Sequence, residues 1–342
     1  EEKNMRIYPY GKMAYRSIGR VNENFETGEF HGYSGLEKDL DTLLYGKPGR
    51  AKKVALTKGI TNWVAKAPVR GYDIHTTINI DLQDMLEEEL HNICSEARAE
   101  WGTAILMEVS TGEIKAISNI ELLDNGTYGE ALNRAVLPFE PGSVMKPISL
   151  MIAFEDGLVR NVTDMVDCSP FQRTSDPHGS GPKTMKQVIE QSSNTGISRV
   201  IFRGYASHPE AFYDRLASIG FFEPIHSGIA GECTPRIRRL VDRDSRGNNI
   251  TMTARHLDLA RQAYGYNTEI PPLYTLSVYN AIANDGRYVR PHLVKSLISE
   301  DGRDSILPIP YIRDSICSPS TAAKVRECIR EVVWGCLLYT SD

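Results

Sequence analysis

"FEPGSVMKPISLMIAFEDG", residues 139–157, places a hydroxyl and an amine three residues apart where an apolar run begins. Residues three apart on a helix share a face, so Ser143 and Lys146 can touch if a helix starts near Gly142. A serine hydroxyl is a weak nucleophile until a base takes its proton, and an unprotonated lysine can be that base. The spacing is not distinctive alone. S-x-x-K is expected about once in a chain of this length at average usage, and Ser180–Gly181–Pro182–Lys183 is a second copy. Context separates the two. Pro141–Gly142 punctuates the chain before Ser143, a mostly apolar run follows, and Gly157 ends it. The second copy is broken by Gly181 and Pro182 within "DPHGSGPKT" and reads as loop. A helix apolar on most sides is buried. Ser143 then sits at a buried helix N-terminus, where free N–H groups and the positive dipole end can stabilise an oxyanion.

Downstream, "TMKQVIEQSSNTGISRVIF" (184–202) predicts a helix, an interruption at Ser192–Ser193–Asn194, and a second helix. Ser192 and Asn194 at such a break can aim into a cleft. The commoner job for Asn194 would be to cap the second helix. Between the two helical regions, "RNVTDMVDCSPFQRTSDPHGSGPK" (160–183) reads as a long irregular stretch. Upstream, "IDLQDMLEEELHNICSEARAE" (80–100) carries apolar residues at helical spacing, with Asp81 as a cap. "WGTAILMEVSTGEIKAISNI" (101–120) alternates as two strands joined at "STGE", with Gly112 available for positive φ. Further helical patterns occupy 209–219, 255–263, 272–285 and 319–333, the last capped by Ser320. Residues 1–70 are rich in glycine and charge and read as extended and loop-rich. A hairpin followed by many helices is an α+β layout.

Composition narrows the function classes. The 342 residues are 41% hydrophobic and 24% charged, as in an ordinary globular chain long enough for two domains. Thirty-nine basic against 44 acidic residues give a net charge of −5 without a basic block, which disfavours nucleic acid as a partner. No run approaches the roughly 20 apolar residues of a membrane span. The chain opens on Glu1 without a signal peptide, so an anchor upstream is left open. The six cysteines form no C-x-x-C pair, which disfavours zinc or an iron–sulfur cluster and leaves free, partly buried thiols as the expectation.

"NRAVLPFEPGSVMKP" followed by "SSN" resembles the penicillin-binding transpeptidases, specifically the class B, division-type enzymes. "RIYPYGKMAYRSIG" and "GYSGLEKDLDTLLYGKPG" resemble that family's N-terminal pedestal, with Arg6, Tyr8, Pro9, Gly35 and Glu37 at matching places. "GYDIHTTINIDLQDMLEEEL", "AILMEVSTGEIKAISN" and "AYGYNTEIPPLYTLSVYNAIANDGRYVRP" resemble stretches of its catalytic domain. The resemblance implies an antiparallel sheet flanked by helices, the fold shared with serine β-lactamases. It divides the chain into a pedestal at 1–70, a transpeptidase domain at 71–335 and a tail at 336–342.

It also implies roles. Ser143 would attack the penultimate D-alanine carbonyl of a peptidoglycan stem peptide, and its own N–H would be half of the oxyanion hole. Lys146 would take the serine proton, Ser192 would relay a proton to the departing D-alanine, and Asn194 would hold the substrate amide or position Lys146. No metal or organic cofactor is implied. The implied partners are stem peptides, β-lactams and a divisome glycosyltransferase. The implied location is the outer face of the cytoplasmic membrane, with one anchoring helix upstream of Glu1. A D,D-carboxypeptidase, a serine β-lactamase relative and a non-catalytic divisome scaffold are the alternatives.

The family's third motif, K-[ST]-G on an edge strand, is absent. The nearest string, Lys183–Thr184–Met185, lacks the glycine and precedes SSN. After "VRECIREVVWG" the chain runs "CLLYTSD", which does not resemble the family and reads as a foreign tail. The expectation is a catalytic domain lacking its last strands and inactive as written.

Overall fold

The computed structural model describes residues 6–24, 27–56, 59–177 and 179–335. The expected foreign tail at 336–342 lies outside the described residues.

The N-terminal part is built from short pieces, as its glycine and charge content predicts. Helix α1 (Tyr15–Ile18) leads into a hairpin of β1 (Val21–Glu23) and β2 (Phe30–Gly32). Short helices α2 (Gly35–Asp39) and α3 (Asp41–Leu44) precede a second hairpin, β3 (Arg50–Leu56) with β4 (Gly59–Lys66). Residues singled out by resemblance meet here. Arg6 pairs with Glu37 at 2.7 Å, and the Tyr8 hydroxyl donates to the Gly19 carbonyl at 3.0 Å. Gly19 has no alternative: a Cβ there would lie 1.7 Å from the Ser34 carbonyl oxygen.

Strand β5 (Asp73–Thr76) brings the chain to α4 (Ile80–Ala97). The cap of α4 is Asn79 and not Asp81. Asn79 keeps extended backbone angles and accepts from the Leu82 N–H, whereas Asp81 already lies in the first helical turn. The predicted hairpin forms as β6 (Trp101–Met107) and β7 (Ile114–Leu122), with Gly112 at φ +76°, and β8 (Tyr128–Gly129) adds a short third strand. Helix α4 packs on β7, and Gln83 joins them chemically. Its fully buried amide accepts from the Ile117 N–H and donates to the Ile117 carbonyl, both at 2.8 Å.

A 3₁₀ turn, Gly142–Met145, opens α5 (Lys146–Glu155), and every residue from Lys146 to Phe154 is buried. The stretch read as irregular folds back on itself: β9 (Met165–Asp167) pairs with β10 (Pro182–Thr184). Lys183 of the second S-x-x-K copy is therefore in a strand and buried, while Ser180 before it is exposed. Next come α6 (Met185–Glu190), α7 (Asn194–Tyr205) and α8 (Glu210–Ser218). Strand β11 (Arg236–Ile237), α9 (Met252–Gln262), β12 (Thr268–Glu269) and α10 (Pro272–Ala283) follow. The remaining elements are β13 (Tyr288–Val289), β14 (Val294–Ile298), β15 (Asp304–Ile306), β16 (Tyr311–Arg313) and α11 (Pro319–Trp334). The cap of α11 is Ser318, which accepts from the Thr321 N–H; Ser320 lies inside the helix.

The core gathers around α5, α7 and α10. Ser149 of α5 and Ser198 of α7 donate to the carbonyls of Ala263 and Ala260, both at 2.8 Å. These small hydroxyls let the helices approach closely and satisfy carbonyls at the end of α9 that lack helical partners. Strand β14 pairs with both β5 and β15, which ties the late chain to the start of the domain. Cys94, Cys168, Cys317 and Cys328 are buried free thiols, and Cys233 is half-buried.

Two carboxylates fix the N-terminal segment to this body. Glu87 of α4 accepts from the Ala14 N–H at 2.8 Å, and Glu130 accepts from the Arg16 N–H at 3.1 Å. Burial pushes the Glu130 carboxyl up to about 7, against the N–H bond that favours its charge, with the Glu87 charge adding to the rise.

Two stability outcomes follow from these contacts. Gln83→Leu strands two buried β7 backbone groups and is expected to cost on the order of 3 kcal/mol. It would be read as a lower urea midpoint at unchanged slope. For Glu130 the folded carboxyl titrates above its unfolded value, so the unfolded state holds fewer protons between about pH 4.5 and 7, and stability contributed by the protonated group is lost across that window. Glu130→Gln should therefore raise the melting temperature more at pH 8 than at pH 5. Equal shifts at both would remove burial of this group from the account.

Candidate active site

Ser143 occupies the second position of the 3₁₀ turn, and Lys146 is the first residue of α5. The turn is pinned from two sides. The Gly142 N–H donates to the Gly265 carbonyl at 3.1 Å, and the Tyr279 hydroxyl of α10 donates to the Val144 carbonyl at 2.8 Å. Gly265 packs so tightly that a Cβ would meet the Gly142 carbonyl oxygen at 2.1 Å. Just upstream, Phe139 exchanges backbone hydrogen bonds with Ile270, and Glu140 accepts from the Asn267 N–H. The segment joining α9 to α10 is thus the bed on which the Ser143 loop lies. Nothing in its sequence spacing signalled that; it follows from a long-range strand-like bridge.

The second component is the junction between α6 and α7. Helix α6 ends at Glu190 with Gln191 as its C-cap, and Ser192 follows in the left-handed region at φ +52°. The N–H groups of Ser192 and Ser193 return to the carbonyls of Ile189 and Val188, closing the helix end. Ser193 then caps α7 by accepting from the Gly196 N–H at 2.9 Å. The cap reading for Asn194 is therefore corrected by one residue: Ser193 has the extended backbone a cap needs, and Asn194 is already the first residue of the helix. That frees the Asn194 side chain. Its Oδ1 is buried and has no hydrogen-bond partner among the described residues, which leaves an acceptor suited to an incoming N–H.

The two components meet at Lys146. Its Nζ lies 2.9 Å from Ser143 Oγ, 2.7 Å from Ser192 Oγ and 2.6 Å from the Ser192 carbonyl oxygen. Ser192 Oγ is in turn 3.0 Å from Ser143 Oγ, closing a triangle of amine and two hydroxyls. Lys146 is only 2% exposed while Ser143 is exposed. Burial pulls the ammonium down to about 8, opposed by the negative charge of Asp176. A neutral amine keeps two N–H groups and one lone pair. The Ser192 carbonyl can only accept, so one N–H stays there, a second serves Ser192 Oγ, and the lone pair faces Ser143 Oγ. Ser143, Lys146 and Ser192, singled out from the sequence, are thus within direct hydrogen-bond reach, and Asn194 follows two residues after Ser192 at the start of α7. Asp176, at the back of the Ser192 junction, was missed; a lone aspartate before a proline in a loop carries no spacing signal.

The chain matches the family described as "Penicillin binding protein transpeptidase domain" over residues 102–335, and it belongs to that family. It is 28% identical over 327 residues to the peptidoglycan D,D-transpeptidase FtsI of Escherichia coli, covering 91% of this chain and 52% of that protein. It is 29% identical over 352 residues to penicillin-binding protein PbpB of Mycobacterium tuberculosis, covering 97% of this chain and 49% of PbpB. Among solved structures, penicillin binding protein 3 of Mycobacterium tuberculosis complexed with ampicillin superposes with a TM-score of 0.77 at 26% identity. That match covers 96% of this chain and 68% of that one. The chain spans about half the length of the curated relatives it matches. The fold is the penicillin-binding transpeptidase fold that the resemblance implied.

Lys146 also enters the stability balance. Its folded value lies below the unfolded one near 10.4, so burying the ammonium costs stability below about pH 8, and that cost is relieved as pH rises from there. Lys146→Met, of similar length and uncharged, should abolish any acylation of Ser143 while leaving the melting temperature at pH 7 equal or higher. A lower melting temperature would mean that the three hydrogen bonds outweigh the desolvation.

Proposed function

We propose that the parent protein is a peptidoglycan D,D-transpeptidase of septal wall synthesis and that residues 71–335 carry its acylation chemistry. The observation that carries this is the Ser143–Lys146–Ser192 triangle, with a depressed amine facing an exposed hydroxyl. Neutral Lys146 takes the Ser143 proton as Oγ bonds to the carbonyl carbon of the penultimate D-alanine. The developing oxyanion lies at the Ser143 N–H, on the N-terminal side of α5. As the C–N bond breaks, the proton passes from Lys146 through Ser192 to the departing D-alanine nitrogen. Asn194 Oδ1 holds a substrate amide N–H. The amine of a second stem peptide then attacks the ester, forming the cross-link and returning the proton to Ser143. A β-lactam would acylate the same oxygen, in keeping with the ampicillin complex of the superposed relative.

Residues 1–70 serve in this reading as the pedestal, anchored through Glu87 and Glu130. The parent protein would be tethered to the cytoplasmic membrane, working on its outer face with a glycosyltransferase partner. Among the described residues, no helix is long and apolar enough to cross a membrane. Residues 1–342 alone are proposed to acylate poorly. They hold no K-[ST]-G, and β6 has a strand partner only on its β7 side among the described residues. One missing oxyanion donor costs about 10²–10³ in rate.

The test is intact-mass analysis after incubation with benzylpenicillin, on residues 1–342 and on the chain continued through K-[ST]-G and its last strands. The continued chain should gain one penicilloyl group that Ser143→Ala abolishes, at a rate rising with pH through about 8, while residues 1–342 stay nearly unlabelled. Rapid loss of the adduct would favour a β-lactamase or carboxypeptidase, and no adduct on a folded, continued chain would favour the scaffold.

A further inference from the structure

Four hydrogen bonds converge on Asp176, in the loop between β9 and β10. Its Oδ1 accepts from the backbone N–H groups of Asn194 at 2.7 Å and Thr195 at 3.1 Å. Its Oδ2 accepts from the Ser193 hydroxyl and, at 2.5 Å, from the Thr195 hydroxyl. Every donor lies within three residues after Ser192. The two N–H groups belong to the first turn of α7, where helical partners are lacking and a negative charge is favoured.

Ser192 needs such an anchor. A residue with a Cβ in the left-handed region costs about 1–2 kcal/mol relative to the right-handed one, which the two hydrogen bonds closing α6 offset from one side only. The conformation nevertheless turns both the Ser192 hydroxyl and its carbonyl toward Lys146. On one side the end of α6 fixes the backbone; on the other the only acidic side chain hydrogen-bonded to residues 193–195 among the described residues is Asp176. We propose that Asp176 is the positioning residue that clamps the Ser192 junction against Lys146, with a negative charge that partly offsets the burial of the amine.

The charged and titratable groups around it fit this role. Lys146 feels its charge from the α5 side, where that charge favours the ammonium and partly offsets burial. Cys168, at the end of β9, is a buried thiol raised first by desolvation, and it feels both Asp176 and Lys183 of β10. Burial disfavours the Asp176 carboxylate, but the two hydroxyls and two N–H groups outweigh it and hold the group below the usual carboxylate range. It therefore stays ionised over the range in which Lys146 titrates. The inference rests on the acylation reading for its rate effect, but not for its effect on Lys146.

The experiment uses the chain extended through K-[ST]-G and the last strands, with Asp176→Asn and Asp176→Glu, and follows fluorescent-penicillin acylation from pH 6 to 10. Asp176→Asn should slow acylation about 10²-fold, as a misplaced group does, and move the midpoint of the pH profile downward, because the amine loses its balancing charge. Asp176→Glu should keep the midpoint near that of the unsubstituted protein. In parallel, the Lys146 side chain is titrated by carbon-13 NMR without β-lactam, and its midpoint should fall in the Asn variant alone. Slower acylation with an unmoved midpoint would reduce Asp176 to a structural brace, and an unchanged rate would overturn the clamp. If the unsubstituted protein does not acylate, the functional reading fails while the NMR midpoint still decides the charge effect. Should Asp176→Asn fail to fold, Thr195→Val removes one clamp bond and keeps the charge. It should slow acylation at an unmoved midpoint; an unslowed rate overturns the clamp.

Discussion

The Lys146 amine lies in a place from which water is largely excluded, and the surrounding architecture is organised by that fact. An ammonium buried without partners is among the costliest groups a fold can carry. Here three oxygens surround it: Ser143 Oγ, Ser192 Oγ and the Ser192 carbonyl. Burial nevertheless outweighs the opposing charge of Asp176, and the group titrates near 8 instead of above 10. The residual cost keeps a fraction of the amine neutral at ordinary pH and beside a hydroxyl.

Holding that arrangement takes parts from distant stretches of chain. The 3₁₀ turn and the start of α5 deliver Ser143 and Lys146 as neighbours, and burial of α5 on every side removes water. The α6–α7 junction delivers the Ser192 oxygens through a left-handed backbone that a serine would not adopt unaided. The α9–α10 connection supports the Ser143 loop through Gly265, and α10 reaches back with the Tyr279 hydroxyl. The serines between helices, Ser149 and Ser198, allow these supports to pack closely while bonding carbonyls that would otherwise be stranded. Stability is surrendered at the amine and recovered in the apolar packing around it.

The N-terminal segment is joined by a different chemistry. Backbone N–H groups of Ala14 and Arg16 meet the carboxylates of Glu87 and Glu130. One of those carboxylates titrates close to neutrality because it is buried beside the other. The joint is polar, whereas the core around α5 is held by apolar burial, so the two parts respond differently to pH.

The order of elements and the candidate residues that meet at Lys146 were legible in the chain. The apolar run after Ser143, the break at Ser192–Asn194 and the glycine turn at 112 are local signals, and local backbone preferences decide them. Helix caps were legible only to within a residue or two, at Asn79, Ser193 and Ser318, because several polar residues compete at each end and tertiary contacts choose among them. Asp176 was not legible at all. Its role depends on a β9–β10 fold-back inside a stretch that has no periodicity, and on donors that become neighbours only when α7 is in place. The sequence by itself determined which groups could react, since hydroxyl, amine and amide are properties of residues. Only the tertiary structure decided that the amine loses water and gains those three oxygens, since desolvation and long-range contact are properties of the packed chain.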